Sequence, residues 1–130
     1  MGIEDWRGHL RQASLFLIVG LAQLAIDTGV FIGSTRLGLA VVAGNLLGRV
    51  SGASLGFWLN GRYTFGTAKL DWRHAARFAV AWILLTILST LLISTVAVQL
   101  GLHTAWLAKP LVEAVLAGIN FAISRQWIYR

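Results

Sequence analysis

Three ionisable side chains of this 130-residue chain, Asp27, Arg49 and Glu113, fall near the middle of long apolar stretches. A charge inside hydrocarbon costs about 2.5–3.5 kcal/mol or more, so each is a suspect for function. Their neighbours are spaced to join them. Asn45 precedes Arg49 by four residues, Lys109 precedes Glu113 by four, and Gln23 precedes Asp27 by four. That interval puts each pair on one face of a helix. The planar fork of an arginine binds phosphate oxygens in bidentate fashion. Two chemistries are open for these residues. One is a buried ion-pair cluster in which Arg49 neutralises Asp27 or Glu113 and fixes helix register. The other is a polar cavity in which Arg49, with Lys109, receives a phosphate while the acids release the arginine. The two are compatible, because a pair that exchanges partners can act as a switch.

The elements that must position these residues follow from composition. Apolar residues make up 57% of the chain and charged residues 12%, against roughly 25% charged in an ordinary soluble protein. This is the composition of a membrane protein. Four apolar stretches, residues 15–32, 39–59, 78–100 and 105–123, are each long enough to cross about 30 Å of hydrocarbon. Each is expected to be helical, since an isolated strand would leave its backbone polar groups unsatisfied in lipid. The first stretch reads as a retained span rather than a cleaved signal, because no small-residue cleavage site follows it. Arg7, Arg11, Arg62, Lys69, Arg73, Arg77, Arg125 and Arg130 flank one set of span ends; only Arg36 and His103 lie at the other. The positive-inside rule then places both termini and the central loop in the cytoplasm.

The same composition excludes several functions. The net charge of +6 on so apolar a chain points to anionic membrane lipids and not to nucleic acid. There is no cysteine, and His9, His74 and His103 lack ligand spacing, so neither a metal nor any other cofactor is expected. No preorganised nucleophile or acid–base set stands out, so an enzyme is not expected either.

The chain repeats itself. Asp5-Trp6-Arg7 with Arg11 matches Asp71-Trp72-Arg73 with Arg77, and the end of the second stretch, Gly56 to Phe65, matches Asn120 to Tyr129. The expected architecture is therefore all-α: one integral membrane domain over residues 1–130, with four transmembrane helices as two helical hairpins. Residues of about 5–65 and 71–129 form parallel repeats about an axis along the membrane normal. In that register Asn45 is equivalent to Lys109, and Arg49 to Glu113. Each hairpin is expected to follow a short amphipathic segment carrying Trp and two Arg, a pattern that anchors at headgroups. Gly44, Gly48, Gly52 and Gly56 lay a bare stripe along the second stretch. The stripe fits close helix packing or a smooth groove for an acyl or isoprenoid chain whose phosphate would sit at Arg49. Pro110 either begins the fourth helix or kinks its first turns.

The span ends carry a family resemblance. Asn60-Gly61-Arg62-Tyr63-Thr64-Phe65 and Ser124-Arg125-Gln126-Trp127-Ile128-Tyr129 resemble the Asn-Arg-x-Trp-x-Phe ends of the GtrA-like family of small four-span membrane proteins. Phe16, Val19, Gly20 and Asp27 in the first span are similar to that family as well. Gly61 stands where the first motif usually has a basic residue, and Ser124 replaces the second motif's Asn. The resemblance implies work on polyprenyl-phosphate-linked sugars for surface polysaccharide or cell-wall glycan, in the inner (cytoplasmic) membrane. By position it nominates Asp27, Asn60, Arg62, Arg125 and Trp127. The leading expectation is translocation of such a lipid, with Asn45, Arg49, Lys109, Glu113 and Asn120 joining those five at the substrate. The alternative is a non-transporting subunit that anchors or regulates a glycosyltransferase through the basic loop 62–77. A third reading, a proton-coupled exporter of small cations, suits an arginine-containing cavity poorly. A bundle this narrow is expected to form a homo-oligomer or a complex.

Overall fold

The structure is a computed structural model and describes residues 3–59, 72–123 and 126–127. It is all-helical over those residues: α1 spans Ile3–Arg36, α2 Val41–Leu59, α3 Trp72–Leu100 and α4 Leu102–Ile123. Three of them contain stretches long and apolar enough to cross a membrane, Asp5–Arg36, Ala75–Leu100 and Leu102–Ile123. The remaining expected span, α2, is not among them; Asn45, Arg49 and its glycines interrupt the apolar run. Its 19 residues still extend about 28 Å at 1.5 Å per residue, comparable to the hydrocarbon thickness.

Burial is inverted relative to a protein that folds in water. Asp27, Asn45, Arg49, Lys109 and Glu113 are buried, while Leu84, Leu107, Leu111 and Val115 are each more than half exposed. Only a surrounding lipid phase makes that arrangement favourable.

The amphipathic segments differ from expectation. Trp6, Arg7 and Arg11 belong to the same unbroken helix as the first apolar stretch, and Trp72, Arg73 and Arg77 to the same helix as the third. No proline separates either segment from its span, and Gly8 alone does not break the hydrogen-bond ladder.

The connections at one end are tight. Gly38, at φ +102°, ends α1: its N–H donates to Thr35 O (3.1 Å) and that of Leu39 to Ser34 O (3.0 Å). This is the Schellman pattern, in which only glycine adopts the left-handed position without strain. Gly101, at φ +95°, does the corresponding work between α3 and α4. Each hairpin is therefore antiparallel, and contacts between hairpins also run in opposite directions along the chain. From one end of the α2–α3 seam to the other, Asn45 meets Ser89, Arg49 meets Thr86 and Phe57 meets Phe78. The helices thus alternate in direction, with both tight turns at one end. Pro110 lies inside α4, not at its start.

The glycine stripe packs a helix. Gly44, Gly48, Gly52 and Gly56 are all buried against α1. A Cβ at Gly48 would land on the Asp27 carboxylate and 2.5 Å from the Asp27 carbonyl oxygen; one at Gly52 would lie 3.1 Å from Gln23 O. At Gly56 it would collide with the Gln23 amide, whose Nε2 donates to Gly52 O at 3.1 Å. The alternative of a lipid chain along this face is thereby overturned, because α1 fills it. Helices α1 and α3 have no Cα pair within 8 Å among the described residues, nor have α2 and α4, so the four form a ring with diagonal pairs held apart.

Gly48→Ala should lower the thermal unfolding midpoint in detergent, since the added methyl meets backbone; such overpacking costs about 1–3 kcal/mol. Gly33→Ala, with nothing within 4 Å of its Cβ, should leave the midpoint unchanged or raise it. Equal effects of the two changes would show that α1 and α2 do not pack this closely.

Candidate functional site

The space between the diagonals is filled by charge. Asp27 from α1, Arg49 from α2, and Lys109 and Glu113 from α4 converge there, all nine-tenths or more buried. Lys109 is fully buried and its ammonium group is shared three ways. It donates to Asn45 Oδ1 at 2.6 Å and to Glu113 Oε1 at 2.9 Å, and it lies 2.9 Å from Asp27 Oδ1. The Phe31 ring covers it at 5.6 Å. Arg49 donates through Nη1 to Glu113 Oε2 and through Nε to Thr86 Oγ1 at 2.8 Å, with its guanidinium carbon 5.7 Å from the centre of the Trp82 ring. Besides the Trp82 ring, helix α3 contributes hydroxyls and no charge. Ser89 Oγ donates to Glu113 Oε1 at 2.5 Å, and Asn45 Nδ2 donates to Ser89 Oγ (3.2 Å) and Thr90 Oγ1 (3.0 Å).

Two cations and two anions make this cluster neutral, which is what a low-dielectric interior demands. The acids are not equivalent. Glu113 has Lys109 and Ser89 on Oε1 and Arg49 on Oε2. Asp27 Oδ1, by contrast, is buried with no hydrogen bond and relies on its charge contact with Lys109. The space for that carboxylate exists because Gly48 has no side chain.

Apolar layers lie on both sides. Toward the tight turns, Phe31, Ile93 and Ala105 form a fully buried cluster, beside which Trp106 Nε1 donates to Thr35 Oγ1 at 3.0 Å. Away from them, Val19, Leu85 and Leu116 are buried. Further along, aromatic contacts bridge both seams between hairpins: Phe57 with Phe78, tilted (6.5 Å), and Phe16 with Phe121, edge-on (5.9 Å).

Five residues expected at the site, Asp27, Asn45, Arg49, Lys109 and Glu113, are thus brought together. Spans two and four do present their polar stripes to each other, as their spacing implied. Arg49 pairs with Glu113; Asp27 is met by Lys109. Asn120 is half-buried about two turns further along α4 and is not part of the cluster. Trp127 is exposed: its carbonyl accepts a hydrogen bond from Arg77 Nη1 at 2.8 Å, and its ring lies 5.8 Å from that guanidinium. Beside it an open, mostly apolar groove of about 360 Å³ is lined by Ala81, Leu84, Leu85, Ile123, Gln126 and Trp127. Asn60, Arg62 and Arg125 lie outside the described residues. Sequence reasoning missed Thr86, Trp82 and the cross-bundle role of Lys109. Thr86 and Ser89 are spaced three apart on α3, but hydroxyls are common in membrane helices, so the signal was weak.

A helical bundle with exposed apolar faces and a neutral, buried charge cluster is a multi-pass membrane protein whose interior is polar. The family model described as GtrA/DPMS, transmembrane domain, matches residues 15–129, and the chain belongs to that family. The match suggests involvement in the handling of lipid-linked sugars. No curated protein and no solved structure shows significant similarity to the chain.

Removing one member of a buried ion pair typically costs about 3–5 kcal/mol, whereas replacing both by apolar groups is close to neutral. Arg49→Met should therefore sharply reduce resistance to unfolding in mixed detergent. Arg49→Met combined with Glu113→Met should recover much of the loss, with Lys109 still balanced by Asp27. A double variant as unstable as the single one would show that Arg49 and Glu113 are not coupled.

Proposed function

We propose that the protein translocates a polyprenyl-phosphate-linked sugar across the cytoplasmic membrane, with Arg49 as the residue that takes the phosphate. The observation that carries this reading is the unequal hold on the Arg49–Glu113 pair. When Arg49 turns to an incoming phosphate, Glu113 keeps Lys109 and Ser89 and is not left without donors. Arg49 keeps Thr86 at Nε, which fixes the guanidinium plane while its other nitrogens change partner. The cation needed for phosphate is thus held ready, and its departure leaves Glu113 with two donors.

The remaining parts of the reading rest on pattern. The arginine-rich ends lie in the cytoplasm by the positive-inside rule, so the lipid's phosphate first meets basic residues such as Arg62, Arg77 and Arg125. The two hairpins act as halves of one repeat that rock about the cluster, which admits the headgroup from one side at a time. The polyprenyl chain stays in lipid throughout. The glycine face is closed to it.

Proteoliposomes carrying a polyprenyl-phosphate sugar on one leaflet provide the test, with sugar exposure on the other leaflet as the readout. Wild type should move the lipid. Arg49→Ala, checked for folding, should slow it roughly tenfold to a hundredfold, the worth of a charge-assisted hydrogen-bond pair. Arg49→Lys should recover only part, lacking the fork. No movement by correctly folded wild type would overturn the reading in favour of a subunit that holds a glycosyltransferase. In that case charge reversal in loop 62–77, and not Arg49→Ala, should abolish function.

A further inference from the structure

The cluster has no charge to spare. Lys109 and Arg49 are balanced by Asp27 and Glu113, and all four are buried in a ring of helices with apolar layers on both sides. A phosphodiester entering this space brings one negative charge with it. Left uncompensated, that charge would face the desolvation penalty that otherwise excludes unpaired ions from protein interiors. Something positive must therefore enter with it. The geometry shows where it can be put.

Taking the substrate class from the preceding reading, we propose that each phosphate anion admitted to Arg49 is accompanied by one proton, taken from water and bound by the Asp27 carboxylate. The bookkeeping of pairs is then complete. Arg49 balances the phosphate, Lys109 balances Glu113, and Asp27 is neutral. The proton leaves a hydronium ion of the bulk water, whose O–H bond breaks as the Asp27 O–H bond forms, and no other covalent bond changes.

Asp27 and not Glu113 is the acceptor because of what each acid holds. Glu113 still receives hydrogen bonds from Lys109 and Ser89 after Arg49 has left, so its carboxylate keeps two donors. Asp27 Oδ1 has no donor beside it other than the Lys109 ammonium, at 2.9 Å. Once Glu113 has lost Arg49, the Lys109 charge is drawn toward Glu113 and its hold on Asp27 weakens. The charged groups facing Asp27 from its packed neighbours are Arg49 on α2, and Lys109 and Glu113 on α4; Gln23, on its own helix one turn away, is neutral. Among the described residues, α3 has no Cα within 8 Å of one in α1. The loaded site carries no net charge, so its passage across the membrane is indifferent to the membrane potential.

Calorimetry on the purified full chain in detergent tests this, using farnesyl phosphoglucose, a phosphodiester of constant charge, as the probe. Titrations in two buffers of different ionisation enthalpy should give one proton taken up per molecule bound. By linkage the affinity should then fall about tenfold for each unit of rising pH. A protonated carboxylic acid should appear in the infrared difference spectrum on binding. Asp27→Asn should bind with no proton uptake, no pH dependence and no such band. Should that variant fail to fold, Asp27→Glu should shift the band. Binding by wild type without proton uptake overturns the proposal and leaves translocation standing. Proton uptake that persists in folded Asp27→Asn overturns the assignment to Asp27. Absence of binding by wild type removes the substrate reading and this proposal together.

Discussion

Electroneutrality in the middle of the ring is the constraint on which the rest of the structure depends. Among the described residues the backbones of diagonal helices stay apart, and across the α2–α4 gap long polar side chains form the bridge where apolar ones would have served for stability alone. A buried ion pair seldom stabilises more than a well-packed hydrophobic pair of the same volume. Four charged groups linked by successive ion pairs, Arg49 to Glu113 to Lys109 to Asp27, are consequently weak evidence for stability and stronger evidence for a task. What they do impose is specificity. With Lys109 bound to Asp27 on one side and Asn45 on another, a one-residue slip of α4 would leave buried charges unpaired at several points at once.

The two hairpins meet this constraint in different ways. In the register suggested by the sequence repeat, Asn45 corresponds to Lys109 and Arg49 to Glu113, and the structure joins these same residues to each other across the diagonal. Like residues at such positions would confront one another, arginine against arginine, and repel. Divergence into complementary types removes that repulsion. The glycines follow the same logic. Gly44, Gly48, Gly52 and Gly56 on α2 correspond to Ala108, Val112, Leu116 and Asn120 on α4. The bare surface is needed where α1 comes close: Thr35 lies against Gly44, Asp27 against Gly48, the Gln23 carbonyl against Gly52 and the Gln23 side chain against Gly56. Opposite α4, α3 offers Ser89 and Ile93, which need no such recess.

Much of this was legible in the sequence. Helical class followed from apolar length, and the inward direction of Asn45, Arg49, Lys109 and Glu113 followed from spacing by four, because a polar stripe on a helix in lipid has only the bundle interior to face. Which cation meets which acid was not legible. Pairing depends on helix order around the ring and on depth, and hydropathy reports neither. The continuity of α1 through Trp6, Arg7 and Arg11 was hidden for a related reason: a change from polar to apolar residues marks the membrane surface, and a helix crosses that surface without ending. Asn120 and Trp127 were nominated by motif or by polarity, and the structure separates them from the charge cluster because neither signal contains depth.

Lys109 and Arg49 divide between them what a single cation could not do. Lys109 is fully buried and holds Asn45 and Glu113 by hydrogen bonds and Asp27 by charge, so moving it would uncouple α1, α2 and α4 together. Arg49 has a fork with more donors than Glu113 can accept, and a second anchor at Thr86 that survives a change of partner. A site that must both hold its helices in register and exchange an ion needs one charge that stays and one that moves. The lysine, a point charge surrounded on three sides, suits the first role. The arginine, planar, anchored at one nitrogen and backed by the Trp82 ring, suits the second. Substitution of either by the other would keep the charge sum and lose this division.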